Sequence, residues 1–217
     1  MYKSIAGFLV VAALFLSCES SPGEIAVADR DAISLGSVDI GFSGIFSSAL
    51  SPVSVAVSWD PRTDQVYLEY QYQMMNFRQY WDASARAAFI SALRRYEADY
   101  GPGLQDNSRT RQAYGKTTAL IRWGIVKSMT GHYGDATLEL GYTFNNGNPY
   151  FIVTQLEAKD KSAAAQDLQS IRVAFYFTRA MAASLAALFD DALLWSLLGD
   201  VPADSPSSMM DEPITEP

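Results

Sequence analysis

The clearest hydrophobic pattern in the chain runs over residues 65–101. Its first part, up to Trp81, alternates between apolar and polar side chains, and this period of two is typical of strands with one buried face. We expect a bulge or tight reversal at residues 74–76, where the alternation is interrupted. From Asp82 onward, apolar residues are spaced by three and four, which predicts an amphipathic helix that Asp82 caps and Gly101 ends.

The same alternation predicts strands elsewhere along the chain. The segments are residues 38–42, 53–59, 117–127, 136–144, 150–157 and 170–177. Residues 145–148, Asn-Asn-Gly-Asn, form the strongest hairpin signal, because Asn and Gly tolerate the positive φ angles of tight turns. A second helix is predicted from a cap at Thr178 to Gly199. It is nearly apolar all round, so we expect it to be the more buried helix.

These elements predict an α+β fold with a mainly antiparallel sheet of about six to eight strands. Two helices packed on one face of the sheet would bury both apolar stripes. The junctions at residues 80–82 and 176–178 can be aligned, each with a hairpin upstream, which predicts a pseudo-two-fold repeat of hairpin–strand–helix units. The alternative is that any strand entering a capped amphipathic helix gives this pattern.

The first eighteen residues predict export and lipid attachment. Residues 1–17 contain Lys3, a run of twelve apolar residues and a small residue at the end, as in a signal peptide. The run is shorter than the ~20 residues that a membrane-spanning helix needs. Cys18, the only cysteine, follows directly, and residues 15–18 resemble a relaxed, spirochaete-type lipobox. The alternatives are a secreted protein with an accidental cysteine or an uncleaved anchor.

The remaining composition predicts one tethered domain. We expect a flexible tether at residues 18–33, a single α+β domain at residues 34–199, and a disordered, acidic, Pro-rich tail at residues 200–217. The formal net charge of −8 argues against nucleic acid as a partner. The predicted location is the bacterial cell envelope, with the membrane as a partner through the lipid anchor, either periplasmic or surface-exposed.

Few residues suggest catalysis or metal binding. His132 is the only histidine, and a metal site built on imidazole usually needs two or three, so no metal and no cofactor are predicted. Carboxylates from distant positions can form hydrolase sites. The loose candidates for such a site are Glu69, Asp82, Glu139 and Glu157.

Cations concentrate in one part of this acidic chain and predict a ligand-binding patch. The candidate residues are Arg94, Arg95, Arg109, Arg111, Tyr114, Lys116 and Arg122. Such a patch can bind a carboxylate, a phosphate or a sulfated glycan. Exposed tyrosines beside it, at Tyr67 and Tyr114, would suit a binding face. The alternative is that the cations offset the neighbouring acidic residues and complement the helix dipole.

Several aromatic framework segments resemble a group of spirochaetal lipoproteins. These segments are residues 66–70, 76–82, 113–115, 138–142 and 176–180, and the resemblance covers residues 60–198. It implies an envelope lipoprotein and implies no activity.

The residues themselves leave two hypotheses for function. The first is a non-enzymatic binding or scaffolding module, with a protein or an anionic ligand as partner. The alternative is a carboxylate-dependent envelope hydrolase.

Overall fold

The alternating segments form eight antiparallel strands. A computed structural model describes residues 32–43, 49–101, 103–104, 113–125, 131–162 and 167–198. Three of the segments outside the described residues carry predictions. These are residues 1–31, which include Cys18, residues 105–112, which include Arg109 and Arg111, and residues 199–217. In chain order, the elements within the described part are β1 (Ile33–Ser43), β2 (Leu50–Asp60), β3 (Gln65–Tyr72), β4 (Met75–Trp81), α1 (Ala83–Asp99), β5 (Gly115–Ile125), β6 (His132–Asn145), β7 (Asn148–Gln155), β8 (Val173–Phe177), α2 (Arg179–Leu188) and α3 (Asp191–Ser196).

The strands close into a barrel. Each strand pairs with the next one along the chain, and β1 pairs with β8 at Gly41–Tyr176 and Phe42–Phe175. The prediction of an antiparallel sheet is confirmed. The prediction of a sheet with two helices on one face is wrong, because the apolar faces of the strands turn toward each other inside the barrel and need no helix to cover them.

Side chains fill the barrel interior. Inward positions carry large apolar groups, including Trp59, Trp81, Ile121, Leu138 and Phe151, each 1% exposed or less. Aromatic rings make many of the contacts, such as the stacked pair Tyr70 and Phe77, whose ring centroids are 5.2 Å apart. The interior is therefore a packed core, as expected for a barrel of eight strands.

The helices close one end of the barrel. Helix α1 follows the end of β4 and precedes β5, while α2 follows β8, so all three helices lie at the end where β1, β3, β5 and β7 begin. We call this the helical end and the opposite one the loop end. Phe89 of α1 contacts Trp81, Phe151 and Phe177, and it also contacts Phe189 beyond α2. The aromatic core thus continues from the barrel into the helices.

The predicted helix caps are confirmed. Asp82 accepts a hydrogen bond of 2.8 Å from the N–H of Ala85, and Thr178 accepts one of 3.3 Å from the N–H of Met181. The second predicted helix is divided in two, because the Asp190 carboxylate caps a new helix, α3. The expectation that this second helix is the more buried one is wrong. Helix α1 buries six residues, whereas α2 buries Ala182 and Leu185.

Two predicted turns are confirmed. Asn146 and Gly147, between β6 and β7, have φ angles of 51° and 76°, as their residue types favour. The interruption near residue 74 is a tight reversal at which Gln73 has a φ of 57°.

No helix among the described residues combines the length and the apolar character that crossing a membrane requires.

A buried arginine joins the helices to the strands. Arg86 of α1 is 1% exposed. Its Nη1 donates to the carbonyl oxygens of Asp64 at 2.7 Å and Trp81 at 3.2 Å, and its Nη2 donates to the carboxylates of Asp64 at 2.9 Å and Asp191 at 2.7 Å. A buried cation is tolerated only when it is paired in this way. Arg86 therefore connects the β2–β3 turn, β4 and α3.

Replacing this arginine will destabilise the fold. We expect Arg86→Leu to lower the free energy of unfolding by about 2–4 kcal/mol, because two carbonyls and two carboxylates lose their donor. Urea denaturation of the full chain measures the change. Arg94→Leu is the matched control on the exposed side of α1, with an expected change within about 0.5 kcal/mol. Equal losses in the two variants would contradict this role.

Candidate functional site

The predicted cation patch is only partly assembled. Arg95 donates to the carbonyl oxygen of Tyr114 at 3.3 Å, and its guanidinium lies 5.7 Å from the centre of the Tyr114 ring. Arg94 and Lys116 are exposed, on α1 and at the start of β5. Arg122 lies six residues further along β5, which corresponds to roughly 20 Å. The described cations therefore do not form one continuous site.

The tyrosines expected beside this patch are not exposed. Tyr114 is 7% and Tyr67 is 2% exposed, so the prediction of a tyrosine-rich binding face there is wrong. Burial, together with the nearby Asp99 carboxylate, raises the pKa of Tyr114. Burial and a hydrogen bond of 2.9 Å to Asp60 raise the pKa of Tyr67 to about 12. Both rings are structural parts of the domain.

A polar network lies inside the barrel, and the sequence pattern did not single it out. Gln79 Nε2 donates to Gln155 Oε1 at 2.7 Å, and the Tyr70 hydroxyl donates to the same oxygen at 3.1 Å. Trp81 Nε1 donates to Gln79 Oε1 at 2.9 Å. Burial raises the pKa of Tyr70 well above its ordinary value, so this hydroxyl stays neutral. The network satisfies buried polar groups, which favours one interior arrangement.

His132 is paired with a buried carboxylate. Its Nδ1 contacts Oδ2 of Asp160, whose side chain is fully buried, whereas the His132 side chain is 27% exposed. The other Asp160 oxygen accepts a hydrogen bond of 2.8 Å from the N–H of Ser162. Burial opposes ionisation of Asp160, but the hydrogen bonds from Ser162 and His132 outweigh it and lower the pKa of this carboxyl. The pair therefore holds an ionised carboxylate against an oriented imidazole.

The pair fastens the β7–β8 connection to the barrel. In that connection the Asp160 N–H donates to the Leu168 carbonyl at 2.9 Å, and the Lys161 N–H donates to the Tyr133 carbonyl at 2.9 Å. A His–Asp pair needs a Ser or Cys nucleophile for acyl-transfer chemistry. Among the described residues, no Ser or Cys side chain is hydrogen-bonded to His132. The residues described here likewise contain no group of three or more metal-ligating side chains.

The candidate carboxylates of the hydrolase hypothesis are dispersed. Glu69 of β3 pairs with Arg78, and Glu139 of β6 is two intervening strands away, 3.9 Å from Arg172. Asp82 caps α1 at the helical end, while Glu157 follows β7 at the loop end. Their placement does not favour a shared hydrolytic cleft.

Large exposed apolar side chains are grouped at the two ends of the barrel. At the loop end these are Met74, Ile125, Tyr133 and Leu168. At the helical end they are Tyr100, Leu193, Trp195, Leu197 and Leu198. Exposed apolar groups of this kind often mark interaction sites. The sequence did not predict the group at the loop end, because an apolar residue next to a turn has no distinct pattern. At the helical end it predicted burial instead, because the second predicted helix is nearly apolar all round.

The Asp160 carboxylate will stabilise the domain only when it is ionised. Its pKa is lowered below the ordinary 3.8 in the folded state. The stabilisation is therefore fully present above about pH 4 and is lost as the pH falls through the lowered pKa. We expect Asp160→Asn to reduce the free energy of unfolding by about 1–2 kcal/mol at pH 7. The difference from the parent chain should shrink toward pH 3, as urea denaturation across this range will show.

The matched control for this variant is Asp135→Asn. Asp135 forms a pair of 2.8 Å with Lys161, but both side chains are about half exposed. Its loss should change the free energy of unfolding by less than about 0.5 kcal/mol. If the difference in free energy of unfolding between Asp160→Asn and the parent chain stays constant down to pH 3, the negative charge of Asp160 does not contribute to stability.

Comparisons with known proteins place the barrel in a spirochaete family. Residues 32–194 match the family described as "Uncharacterised Treponema protein". An "Uncharacterized protein" of Treponema pallidum (strain Nichols) is 26% identical over 155 residues. The aligned region covers 70% of this chain and 56% of that relative, so the chain spans about half the relative's length. No solved structure gives a significant match.

The resemblance to spirochaete proteins is confirmed, while the envelope lipoprotein that it implied stays a prediction. The family match begins one residue before β1 and ends within α3, so it includes all eight strands and both longer helices. Because it covers most of the sequence, the chain belongs to the family described as "Uncharacterised Treponema protein".

Proposed function

We propose that this protein is a membrane-anchored envelope lipoprotein, acylated at Cys18, whose barrel is a non-enzymatic binding or scaffolding module. The observation that carries the proposal is the position of the only cysteine, directly after a signal-like apolar run. The first strand begins at Ile33 and the family match at residue 32. This leaves a stretch after Cys18 that can serve as a tether between the acyl chains and the barrel.

The loop end is the surface best suited to a protein partner. Met74 is 75% exposed in the β3–β4 turn, and Ile125 is 64% exposed at the end of β5. Tyr133 and Leu168 are about half exposed in the neighbouring segments. Met adapts its shape to different apolar partners, and Tyr is enriched at interfaces. Since the tether joins the barrel at the helical end, the loop end is the end farther from the point of attachment.

An anionic ligand is a weaker candidate for this module. Arg95 contacts Tyr114, which precedes Lys116 by two residues, and Arg94 is the neighbour of Arg95 on α1. Arg95 already contacts the carbonyl and the ring of Tyr114, which favours a structural role for it. The apolar loop end therefore supports a protein partner more strongly than the cations support an anion.

Lipid attachment will depend on Cys18. We expect labelled palmitate to be incorporated into the full chain expressed in a bacterium with lipoprotein-processing enzymes. Incorporation should be lost in Cys18→Ser, which provides no thiol for the acyl transfer. The variant should also move from the membrane fraction to the soluble fraction. Equal labelling of the two chains would contradict the proposed anchor.

Contacts with a partner will be concentrated at the loop end. A photo-crosslinking amino acid in place of Met74 should give a discrete adduct in intact cells. The matched position is Asn146, an exposed turn residue at the helical end, which should give no such adduct. Ile125→Ser should weaken the Met74 adduct, because it removes a neighbouring apolar contact. The same adducts from both positions, or an adduct that Ile125→Ser leaves unchanged, would contradict a loop-end binding surface.

A further inference from the structure

The last helix exposes an apolar surface at the helical end. We call Leu193, Trp195, Leu197 and Leu198 the C-terminal apolar surface; their side chains are 39–49% exposed. Leu194, within the same segment, is fully buried and attaches the helix to the core. Trp195 packs edge-on against Trp59, with ring centroids 5.3 Å apart. The barrel thus holds Trp195 in place with about half of its surface free.

The chain enters the barrel at the same end. Ile33, the first residue of β1, pairs with Trp59 of β2. Trp59 is also the residue that Trp195 contacts, so the first residue of the barrel lies near the C-terminal apolar surface. The segment before Ile33 therefore joins the barrel at the end that carries this surface.

The length of the preceding segment limits how far this end can move from an anchor at Cys18. The segment from Cys18 to Ile33 is about 15 residues long. A flexible chain of that length has an average end-to-end distance of roughly 20 Å, and its fully extended limit is roughly 50 Å. An anchor at Cys18 therefore keeps the helical end at a high effective concentration next to the membrane, where even a weak contact is populated.

We infer that the C-terminal apolar surface docks onto the lipid bilayer to which the protein is anchored. This inference rests on the proposed acylation of Cys18. Trp is favoured at membrane interfaces because its ring is apolar and its N–H is polar, and the neighbouring leucines supply apolar area that can enter the acyl boundary. Docking would place the helical end on the membrane and turn the loop end away from it.

Described charged groups at the helical end have both signs, and several are engaged in contacts of their own. Asp191 is paired with Arg86, and the Asp190 carboxylate caps α3 by accepting from the N–H of Leu193. Arg179 lies 4.6 Å from the centre of the Tyr100 ring, at the same end of the barrel. Acidic and basic groups are thus both present, so apolar contact rather than charge should carry the docking. We therefore choose phosphatidylcholine as the lipid.

Trp195 is a natural reporter for the test. The other tryptophans, Trp59, Trp81 and Trp123, are 3% exposed or less. The acylated full chain is reconstituted into phosphatidylcholine vesicles with or without brominated phosphatidylcholine, which quenches tryptophan fluorescence at short range. We expect brominated lipid to lower the emission of the parent chain. Trp195→Phe, which keeps an aromatic ring against Trp59, should abolish this loss.

Two further variants separate docking from a folding defect. The double variant Leu197→Ser with Leu198→Ser should reduce the quenching while retaining Trp195 as the reporter. Leu168→Ser, an equally exposed leucine at the loop end, should leave the quenching unchanged. Raising the salt concentration should also leave it unchanged, because the contact is apolar.

The outcomes distinguish this inference from the proposed function. A chain that is acylated and sediments with the vesicles, but shows no quenching, would overturn the docking while the lipid anchor stands. A chain that is not acylated would overturn both. Tryptophan emission that changes with the density of protein in the vesicles, and not with brominated lipid, would show that the surface contacts a second copy of this chain. Protection of Trp195 from both brominated lipid and aqueous acrylamide would assign it to another segment of this chain. Either result would overturn the docking.

Discussion

The fold depends on the seam where the first strand meets the last. β1 and β8 pair at Gly41–Tyr176 and Phe42–Phe175, far fewer residues than pair between β1 and β2. Gly41 permits the close approach, because a Cβ at this position would lie 3.1 Å from the Tyr176 carbonyl oxygen. Inside the seam, the Phe42 and Phe175 rings pack edge to face with centroids 5.1 Å apart. This seam turns the sheet into a barrel and thereby separates an enclosed core from two distinct ends.

The sequence predicts the elements of this fold better than their arrangement. Alternation locates the strands, because one side of each strand is buried whether the sheet is open or closed. It does not determine closure, which depends on a contact between two distant segments. The capped helices were predicted for the same local reason, since Asp82 and Thr178 hydrogen-bond within their own first turns. An apolar stripe on a helix predicts that the helix packs against other apolar residues. It does not specify whether those residues lie on the face of a sheet or at the end of a barrel. The pseudo-two-fold repeat stays a prediction, although β1–β4 lead to α1 and the next four strands, β5–β8, lead to α2.

The candidate site could be predicted only in small part. Of the proposed binding residues, Arg95 and Tyr114 are in contact, but Tyr114 is buried. Its ring packs against Tyr96 of α1 and Tyr142 of β6, and the sequence of its own loop does not indicate these distant partners. The interior network had a visible signal in Gln79, a polar residue in the inward series between Phe77 and Trp81. The buried role of Arg86 had no comparable signal, since its partners come from a turn and from the last helix.

The seam also imposes an order on how the chain acquires its structure. Seven of the eight strand pairings join neighbours in sequence and can form as local hairpins or around a single helix, whereas the eighth joins the two extremes of the barrel. Distant pairings carry the largest loop-closure entropy and are slow to form. The outer edges of β1 and β8 therefore remain unsatisfied until nearly the whole domain is present. Such edges are templates for pairing with other chains, so a nascent or newly refolding molecule is most vulnerable to aggregation in the interval before the seam closes.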